Sequence, residues 1–296
     1  MGPTPLFCIA ALIWGSTWLA ITFQLGVVAP EASVVYRFAL AAAMLALWCR
    51  ATGASLRFPL RQHAWFAAQG TLLFGLNYLA VYRAEQYITS GLVAVLFSLI
   101  VFLNLVGVRV FFATPVNRRT LLGAALGITG VTLLFWHEFG ARHGDALTGI
   151  LLGLTATVLA CGGNLLAVRS QRHGVPLLPG VAWGMGYGAL AIALVALVDG
   201  TPWSFDPRPA YVLSLVYLAA FGSVIAFGAY LTLLGKIGAA RAGYVGVAVP
   251  VVALLFSTAF ERYEWTLAAA AGIALCAAGN VLVLMPERGR GRLSRG

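Results

Sequence analysis

The chain alternates between long uncharged apolar runs and short segments that hold its charges, glycines and prolines. Runs of roughly 20 apolar residues are long enough to span a bilayer as helices, and they are too long for the alternating strands of an outer-membrane barrel. The pattern predicts an all-α polytopic membrane protein with ten transmembrane helices. Their expected bounds are Leu6–Phe23, Ser33–Trp48, Ala64–Tyr82, Thr89–Val108, Leu121–Trp136, Leu147–Val168, Leu178–Val198, Tyr211–Leu234, Gly243–Phe260 and Trp265–Leu284.

The composition indicates that lipid is the main solvent of this chain. Of the 296 residues, 61% are hydrophobic and 9% are charged, whereas soluble domains are nearer half apolar and a quarter charged. An ordinary cytosolic enzyme, a secreted disulfide scaffold and a disordered protein are therefore excluded. The four cysteines lie singly in separate runs without metal or redox spacing, so we expect them to be buried hydrophobes.

The charged residues alternate in sign from one loop to the next. One set of alternate loops, with the C-terminal tail, holds 14 of the 19 basic residues, and the other set holds eight of the nine acidic ones. Because cytoplasmic loops are enriched in Lys and Arg, both termini are predicted to be cytoplasmic. The net charge of +10 is scattered singly and forms no stripe that a nucleic acid would need. The expected macromolecular environment is the bilayer, without a nucleic-acid partner.

The two halves of the chain resemble each other at a nearly constant offset. Residues 14–20 lie over 161–167 at an offset of 147, and the glycines at 123 and 130 lie over those at 272 and 279 at an offset of 149. We expect repeats at residues 1–144 and 145–286, followed by a basic tail at 287–296. Since five spans is an odd number, the second repeat enters the membrane from the opposite side, as in the inverted-topology repeats of secondary transporters.

Several motifs carry a resemblance to a known family. Ile13–Trp18 (Ile-Trp-Gly-Ser-Thr-Trp), Pro30 and Tyr36-Arg37-Phe38, with Phe260-Glu261-Arg262 in the second half, resemble EamA-type repeats of the drug/metabolite transporter superfamily. The first half is most similar to the bacterial aromatic amino-acid exporters of that family, the YddG type. The chain departs from the pattern at Val108-Arg109-Val110, where a Gly-Glu turn is frequent, and at Ser98, where the second half has Pro250.

The resemblance implies a carrier of the bacterial inner membrane that is not an enzyme and needs no cofactor. It would export amino acids, aromatic or large neutral, and related metabolites by alternating access. The family layout places spans 1, 3, 4, 6, 8 and 9 around a central cavity, which one monomer can enclose. Within transport, other neutral metabolites or drugs remain alternative cargoes. The partner is a small-molecule substrate.

Polar and aromatic side chains within the spans are the candidates for substrate contact. Polar groups are costly in lipid, so they mark functional sites, and rings can stack on a substrate side chain. The alternatives are interhelical hydrogen bonds and core packing. The predicted substrate-binding residues are Trp14, Ser16, Thr17, Asn77, Tyr78, Tyr82, Ser98, Asn164, Trp183, Tyr187, Ser223 and Tyr244.

A second set is predicted to act in gating. Arg37 lies about one turn inside span 2. It is either a snorkelling arginine paired with Glu31 or Glu85, or a gate or carboxylate-binding cation at the external mouth. Glycines and a mid-span proline mark hinges or close helix contacts. The predicted gating residues are Gly15, Arg37, Arg83, Glu85, Gly162, Gly163 and Pro250.

The middle of every predicted span lacks Asp, Glu and His. Because a buried carboxylate is the usual way to bind a proton or cation at this depth, we expect facilitative transport or coupling through residues near the mouths. A membrane-embedded enzyme is the alternative of another class. It would need a cluster of acids and histidines, and Glu138 with His137 and His143 is the only one in the sequence. No metal site is predicted.

Overall fold

A computed structural model of the chain describes residues 1–113, 118–134, 144–237 and 242–285. Throughout these ranges the secondary structure is helical, with turns between helices and no strand. The helices are α1 (Pro3–Thr22), α2 (Pro30–Ala51), α3 (Leu60–Gly70), α4 (Asn77–Ala84), α5 (Ser90–Phe97), α6 (Ile100–Phe112), α7 (Arg118–Leu134), α8 (Gly144–Arg172), α9 (Leu177–Val198), α10 (Pro209–Tyr217), α11 (Ala226–Ile237), α12 (Val245–Phe260) and α13 (Leu267–Leu284).

Two π-helical segments join consecutive α-helices into longer rods. The segment π1 (Thr71–Leu76) connects α3 to α4, and π2 (Leu218–Ile225) connects α10 to α11. A third pair, α5 and α6, is separated only by a short break at Ser98 and Leu99. Every predicted span therefore coincides with a helix or such a rod, apart from shifts of a few residues and the end of the fifth at Trp136, which lies outside the described residues.

Local sequence explains several helix starts. Proline occupies the first position of α1, α2 and α10, where its missing N–H costs nothing because that donor has no partner within the helix. Helix α13 begins after Thr266, whose hydroxyl accepts a hydrogen bond from the Ala269 N–H at 3.0 Å. Such a side-chain cap satisfies one of the free donors at a helix start.

Length and hydropathy separate the helical rods into groups. Seven of the described helices or rods are long and apolar enough to cross a membrane, and Leu121–Leu134 and Val245–Phe260 are apolar but shorter. The remaining rod, α3–π1–α4, has a more polar start that includes Arg61, His63 and Gln69. The structure thus contains an all-helical multi-span bundle.

Small residues allow the helices to approach closely. A Cβ atom at Gly272 of α13 would lie 2.5 Å from the Gly130 carbonyl oxygen of α7, and one at Gly130 would lie 2.5 Å from the Gly272 oxygen. Gly123 and Gly279 are in the same reciprocal relation, at 2.7 and 2.5 Å. In lipid, where the hydrophobic effect between helices is weak, such close packing is a main source of association.

Charged residues are separated between the two ends of the bundle. At one end, the Gln62 amide donates to Ser170 at 3.0 Å, and the Arg169 guanidinium lies 3.5 Å from the centre of the Trp65 ring. At the other end, Arg83 is ion-paired with Glu31. We call these the basic end and the acidic end. These contacts join residues in or next to loops of the same predicted set, the Arg-rich set at the basic end and the acidic set at the acidic end.

The reciprocal glycine contact gives a stability test. We expect Gly272→Ala to lower the free energy of unfolding by about 1–3 kcal/mol, the usual cost of overpacking, because the added methyl would meet backbone atoms of α7. The matched control is Gly228→Ala, since nothing lies within 4 Å of a Cβ there and alanine favours a helix by up to roughly 1 kcal/mol. Thermal unfolding of both variants in detergent measures the difference, and equal midpoints would contradict the packing argument.

Candidate functional site

Aromatic rings from four helices collect around α1. The Trp14 ring lies 5.2 Å from both Phe227 and Tyr230, and the Trp18 ring lies 5.4 Å from Phe97. Each of these side chains is partly buried. With Tyr217, they form what we call the aromatic cluster. Edge-on and tilted rings at these distances attract each other, and the same surfaces can stack on an apolar or aromatic substrate group.

Polar contacts tie the aromatic cluster to π2. The Trp14 indole N–H donates to the Gly222 carbonyl oxygen at 3.0 Å. The Ser16 and Tyr217 hydroxyls are hydrogen-bonded at 2.6 Å, and Ser16 also donates to the Ile13 carbonyl oxygen. A π-helical turn shifts carbonyl groups out of the regular ladder, so π2 offers an acceptor to a neighbouring helix. Of the predicted residues here, Trp14 and Ser16 therefore bond to neighbouring helical segments, whereas Thr17 and Ser223 bond locally to the Trp14 and Leu218 carbonyl oxygens.

Arg37 is buried where α2, α4, α1 and π2 meet. Its side chain is 3% exposed, and its guanidinium carbon lies 4.6 Å from the centre of the Tyr78 ring. A Cβ atom at Gly222 would lie 3.9 Å from Arg37 Nη2. Within the described residues, Arg37 Nε and Nη1 have no hydrogen-bond partner. Pairing with Glu31 is not found, because Glu31 is bonded to Arg83.

One face of α4 and the turn after it is directed toward Arg37. Tyr78, Tyr82 and Glu85 are spaced i, i+4 and i+7, which places them on the same side of a helix. Tyr82 is fully buried and donates from its hydroxyl to Gln24 Oε1 at 2.6 Å. Glu85, in the turn between α4 and α5, is 8% exposed. Neither of its carboxylate oxygens has a partner among the residues that the structure describes.

The neighbouring acids at this end are already bonded. Glu261 accepts hydrogen bonds from the backbone N–H and the hydroxyl of Ser90, at the start of α5, where a helix terminus favours negative charge. Glu31 is paired with Arg83. In the predicted external network, Arg83 is therefore ion-paired, whereas Glu85 has no bonded partner among the described residues.

The environment of Glu85 shifts its protonation equilibrium. Burial raises the pKa of the Glu85 carboxyl well above its usual value, the nearby Glu261 raises it further, and Arg37 opposes both. Removing a carboxylate from water disfavours its charged form, and a like charge acts in the same direction. Ionisation of Glu85 therefore carries an electrostatic cost in the folded protein.

Three other predicted binding residues lie within the predicted spans and make mostly local bonds. Asn77 donates to the Leu73 carbonyl oxygen at 2.9 Å, while its own amide oxygen has no partner within the described ranges. Ser98 donates to the Val95 carbonyl oxygen at 2.7 Å, and Asn164 donates to Asn104 at 3.4 Å. The Ser98 bond is local and the Asn164 bond joins two helices, as expected if these residues have a structural role instead of contacting substrate. The Asn77 oxygen can still accept a hydrogen bond from a further donor.

Trp183 and Tyr187 belong to a separate group near the basic end. The Trp183 indole donates to the Leu56 carbonyl oxygen at 3.0 Å, and the Tyr187 hydroxyl lies 3.1 Å from His63 Nδ1. The two rings stack on each other at 5.9 Å. Tyr244 precedes α12 and is partly buried. Sequence spacing alone did not separate this group from the aromatic cluster, because the separation depends on how α9 packs against α3.

The predicted hinge positions are sites of close helix contact. A Cβ atom at Gly15 would lie 2.4 Å from Val252 Cγ1 of α12, and one at Gly163 would lie 2.5 Å from Leu73 Cβ in π1. At Gly162 the nearest atom, Leu72 Cδ1, would be 3.3 Å away. Pro250 lies inside α12. It lines a small cavity together with Ser98 at the α5–α6 break.

Several contributors were not singled out from the sequence. Gln24, Phe97, Tyr217 and Phe227 contact predicted residues directly. Nothing in their local sequence distinguishes them from the many other aromatic or polar positions of the spans. In the ranges described, no group of three His, Cys, Asp or Glu residues could hold a metal ion. The cluster of His137, Glu138 and His143 lies outside the described residues.

The environment of Glu85 leads to a pH-dependent prediction. A carboxyl whose pKa is raised by folding stabilises the folded state at low pH and loses that contribution as pH rises above its unfolded value. We therefore expect Glu85→Gln to increase the thermal midpoint at pH 8 by on the order of a few degrees, with a smaller increase at pH 5. Glu264→Gln, at an exposed acid of the same end, is the control. A loss of stability, or a gain independent of pH, would contradict the prediction.

Comparisons with known proteins show which proteins this chain is similar to. A family model described as the EamA-like transporter family matches residues 4–136 and again 147–285. The protein PagO of Salmonella typhimurium is 23% identical over 84% of this chain and 82% of its own length. The "Uncharacterized inner membrane transporter YedA" of Escherichia coli K12 is 27% identical over 86% of this chain and 83% of its own.

Two further similarities concern a shorter region and the fold. A "Probable amino-acid metabolite efflux pump" of Salmonella typhimurium is 27% identical over 57% of this chain and 58% of its own length. A protein of known crystal structure superposes with a TM-score of 0.67 over 95% of both chains, at 21% identity, which is a likeness of fold. Because the family model matches both halves of the helical bundle, the chain belongs to the EamA-like transporter family and is a multi-pass membrane transporter.

Proposed function

We propose that this transporter exports amino acids, aromatic or large neutral, and related metabolites across the bacterial inner membrane. The aromatic cluster carries the proposal. Trp14 and Trp18, one turn apart on α1, hold rings from α5 and α11 within 5.4 Å. Ring surfaces of this kind can bind the apolar side chain of a substrate by stacking, and this contact needs no charged residue. The relative named as an amino-acid metabolite efflux pump supports this class of cargo over sugars or drugs.

We further propose ten spans arranged as two inverted five-helix repeats, with both termini in the cytoplasm. Two features support this arrangement. The family model matches each half once, and the π-helical segments lie in the third and eighth rods, which correspond under the offset between the halves. The contact of Gly130 with Gly272 and that of Gly123 with Gly279 exchange with each other under the offset of 149, as expected of two elements related by a pseudo-two-fold axis.

Alternating access is the mechanism that inverted repeats favour, because one half can rock against the other around a site near the midplane. Ser98, at the break between α5 and α6, and Pro250, inside the continuous helix α12, line the same cavity. A break and an internal proline are both points where a helix can bend. In the described helices, Asp, Glu and His occur only near the helix ends. A facilitative carrier is therefore the simplest mechanism, since no described helix carries a carboxylate in its interior to bind a proton there.

Efflux from proteoliposomes tests the proposal. Vesicles containing the purified protein are loaded with radiolabelled L-phenylalanine, and release is followed with and without an imposed proton gradient. We expect saturable release that the gradient does not change. Trp14→Ala should slow release by about tenfold, the effect of roughly 1.4 kcal/mol of lost ring contact. Trp48→Ala is the control, because Trp48 is 53% exposed at the end of α2.

Three results would each contradict a part of the proposal. Absence of saturable release for phenylalanine, leucine and other large neutral amino acids, from protein that is folded, would remove the cargo. Release that requires the proton gradient would contradict the facilitative mechanism. An equal loss of release rate in Trp14→Ala and Trp48→Ala would contradict the role of the aromatic cluster.

A further inference from the structure

Two buried side chains of opposite charge lie near each other without being bonded to each other. Arg37 and Glu85 are 3% and 8% exposed, and they are within electrostatic reach. Arg37 Nε and Nη1 and both Glu85 oxygens lack a hydrogen-bond partner among the residues that the structure describes. Buried charged groups are normally paired, and each that is not requires an explanation.

The surroundings do not supply the missing partners. Glu31 and Glu261, the other acids close by, are engaged by Arg83 and Ser90. Tyr78 covers one face of the Arg37 guanidinium with its ring, and the Tyr82 hydroxyl is within hydrogen-bonding reach of the guanidinium. Nε and Nη1 are the donors that remain without a partner among the described residues. Arg37 therefore offers hydrogen-bond donors with a positive charge, and Glu85, within electrostatic reach of it, offers hydrogen-bond acceptors with a negative charge.

We propose that Arg37 and Glu85 bind the zwitterionic head group of an α-amino acid. The planar guanidinium of Arg37 presents two parallel N–H groups that match the two oxygens of a carboxylate. The Glu85 carboxylate accepts hydrogen bonds from the substrate ammonium. This inference rests on the proposed function and adds to it the charge pattern that the cargo must have.

The position of Arg37 explains why the rest of such a substrate would be apolar or aromatic. Arg37 Nη2 lies near Gly222 of π2, and the Gly222 carbonyl oxygen is bonded to the Trp14 indole. Thr17, between the two tryptophans of α1, also contacts Gly222. A head group held at Arg37 therefore has its side chain adjacent to the aromatic cluster, so one molecule can occupy both.

The proposal differs from a purely structural role in what it predicts for Glu85. A structural ion pair stabilises the fold, and its loss leaves a charge unpaired. A carboxylate that binds the substrate ammonium has no bonded partner in the empty protein, so its charge lowers the stability of the fold. Its neutralisation should therefore stabilise the protein while weakening recognition of the substrate ammonium. Such opposition between stability and activity is common at functional sites.

The test compares three compounds that differ only in the head group. L-phenylalanine has both charges, L-phenylalanine amide lacks the carboxylate, and N-acetyl-L-phenylalanine lacks the ammonium. Each is used to inhibit counterflow of radiolabelled L-phenylalanine in proteoliposomes, and its half-inhibiting concentration is measured. For the unaltered protein, we expect both derivatives to be weaker than phenylalanine by about tenfold or more, as for loss of a charged hydrogen-bond group.

The variants assign each charge to one residue. Arg37→Met should bring the amide to within about threefold of phenylalanine while N-acetylphenylalanine stays weak, and Glu85→Gln should do the reverse, as expected when a charged contact is removed. Arg37→Lys keeps the charge without the planar fork and should show an intermediate ratio, which covers the case in which Arg37→Met does not fold. Arg208→Gln and Glu264→Gln are controls at the same end, where Arg208 is ion-paired with Asp206 at 2.7 Å.

The outcomes distinguish this inference from the function on which it rests. If the unaltered protein transports phenylalanine but does not discriminate against the two derivatives, or if the Arg37 and Glu85 variants keep the original ratios, the head-group site is wrong and the export function stands. If no amino acid is transported, the proposed function fails together with the site. Equal changes in the Arg208 and Glu264 controls would also overturn the assignment.

Discussion

The cost of placing charge inside an apolar bundle is the constraint on which the rest of this structure depends. Nearly all charges of the described helices lie in the first or last turns, where water and headgroups can solvate them. Arg37 is the exception, about two turns inside α2. Its surroundings are correspondingly specialised, with a tyrosine ring on one face and a carboxylate within electrostatic reach. A guanidinium cannot be neutralised by losing its proton, so it must be matched by ring faces, dipoles or a bound anion.

The same constraint applies to the backbone. In lipid every N–H and C=O group must find a partner inside the protein, which favours continuous helices. The two π-helical segments are local departures that release carbonyl groups, and one of these groups, at Gly222, receives the Trp14 indole N–H. The π1 segment instead approaches Gly163 so closely that a side chain there would not fit. Irregular backbone in this bundle therefore occurs where a neighbouring helix contacts it.

The acidic end combines paired and unpaired charges, and the two kinds have different consequences. Arg83 with Glu31, and Glu261 with Ser90, are closed contacts that fix α2, α4, α5 and the turn after α12 relative to one another. Glu85 lies among them with neither oxygen bonded to a described residue. Closed contacts hold the end of a bundle together, whereas an unpaired buried carboxylate responds to protons and cations. The predicted gating residues Arg83 and Glu85 and the proposed head-group site therefore lie in one region.

Much of the fold could be predicted from the sequence, because the number, length and spacing of apolar runs are read along the chain. The bounds of α9, for example, differ from the predicted span by one residue at the start, and loop charges predicted which helix ends lie together. Packing could not be predicted in the same way. Trp183 and Tyr187 looked equivalent to Trp14 and Tyr78 in sequence, but the packing of α9 on α3 places them beside His63.

The sequence by itself therefore determined that the chain is a multi-span helical membrane protein and that Arg37 is an unusual charge within a span. Only the tertiary structure decided which partner each charge has. Glu31 and Glu85 were both possible partners of Arg37 along the chain. The three-dimensional arrangement pairs Glu31 with Arg83 and leaves both Glu85 oxygens without a hydrogen bond to any described residue. The physical reason is that the hydropathy of each residue can be read from the sequence one position at a time. An ion pair depends instead on the relative rotation and depth of two helices, and these are set by how each helix packs against its neighbours.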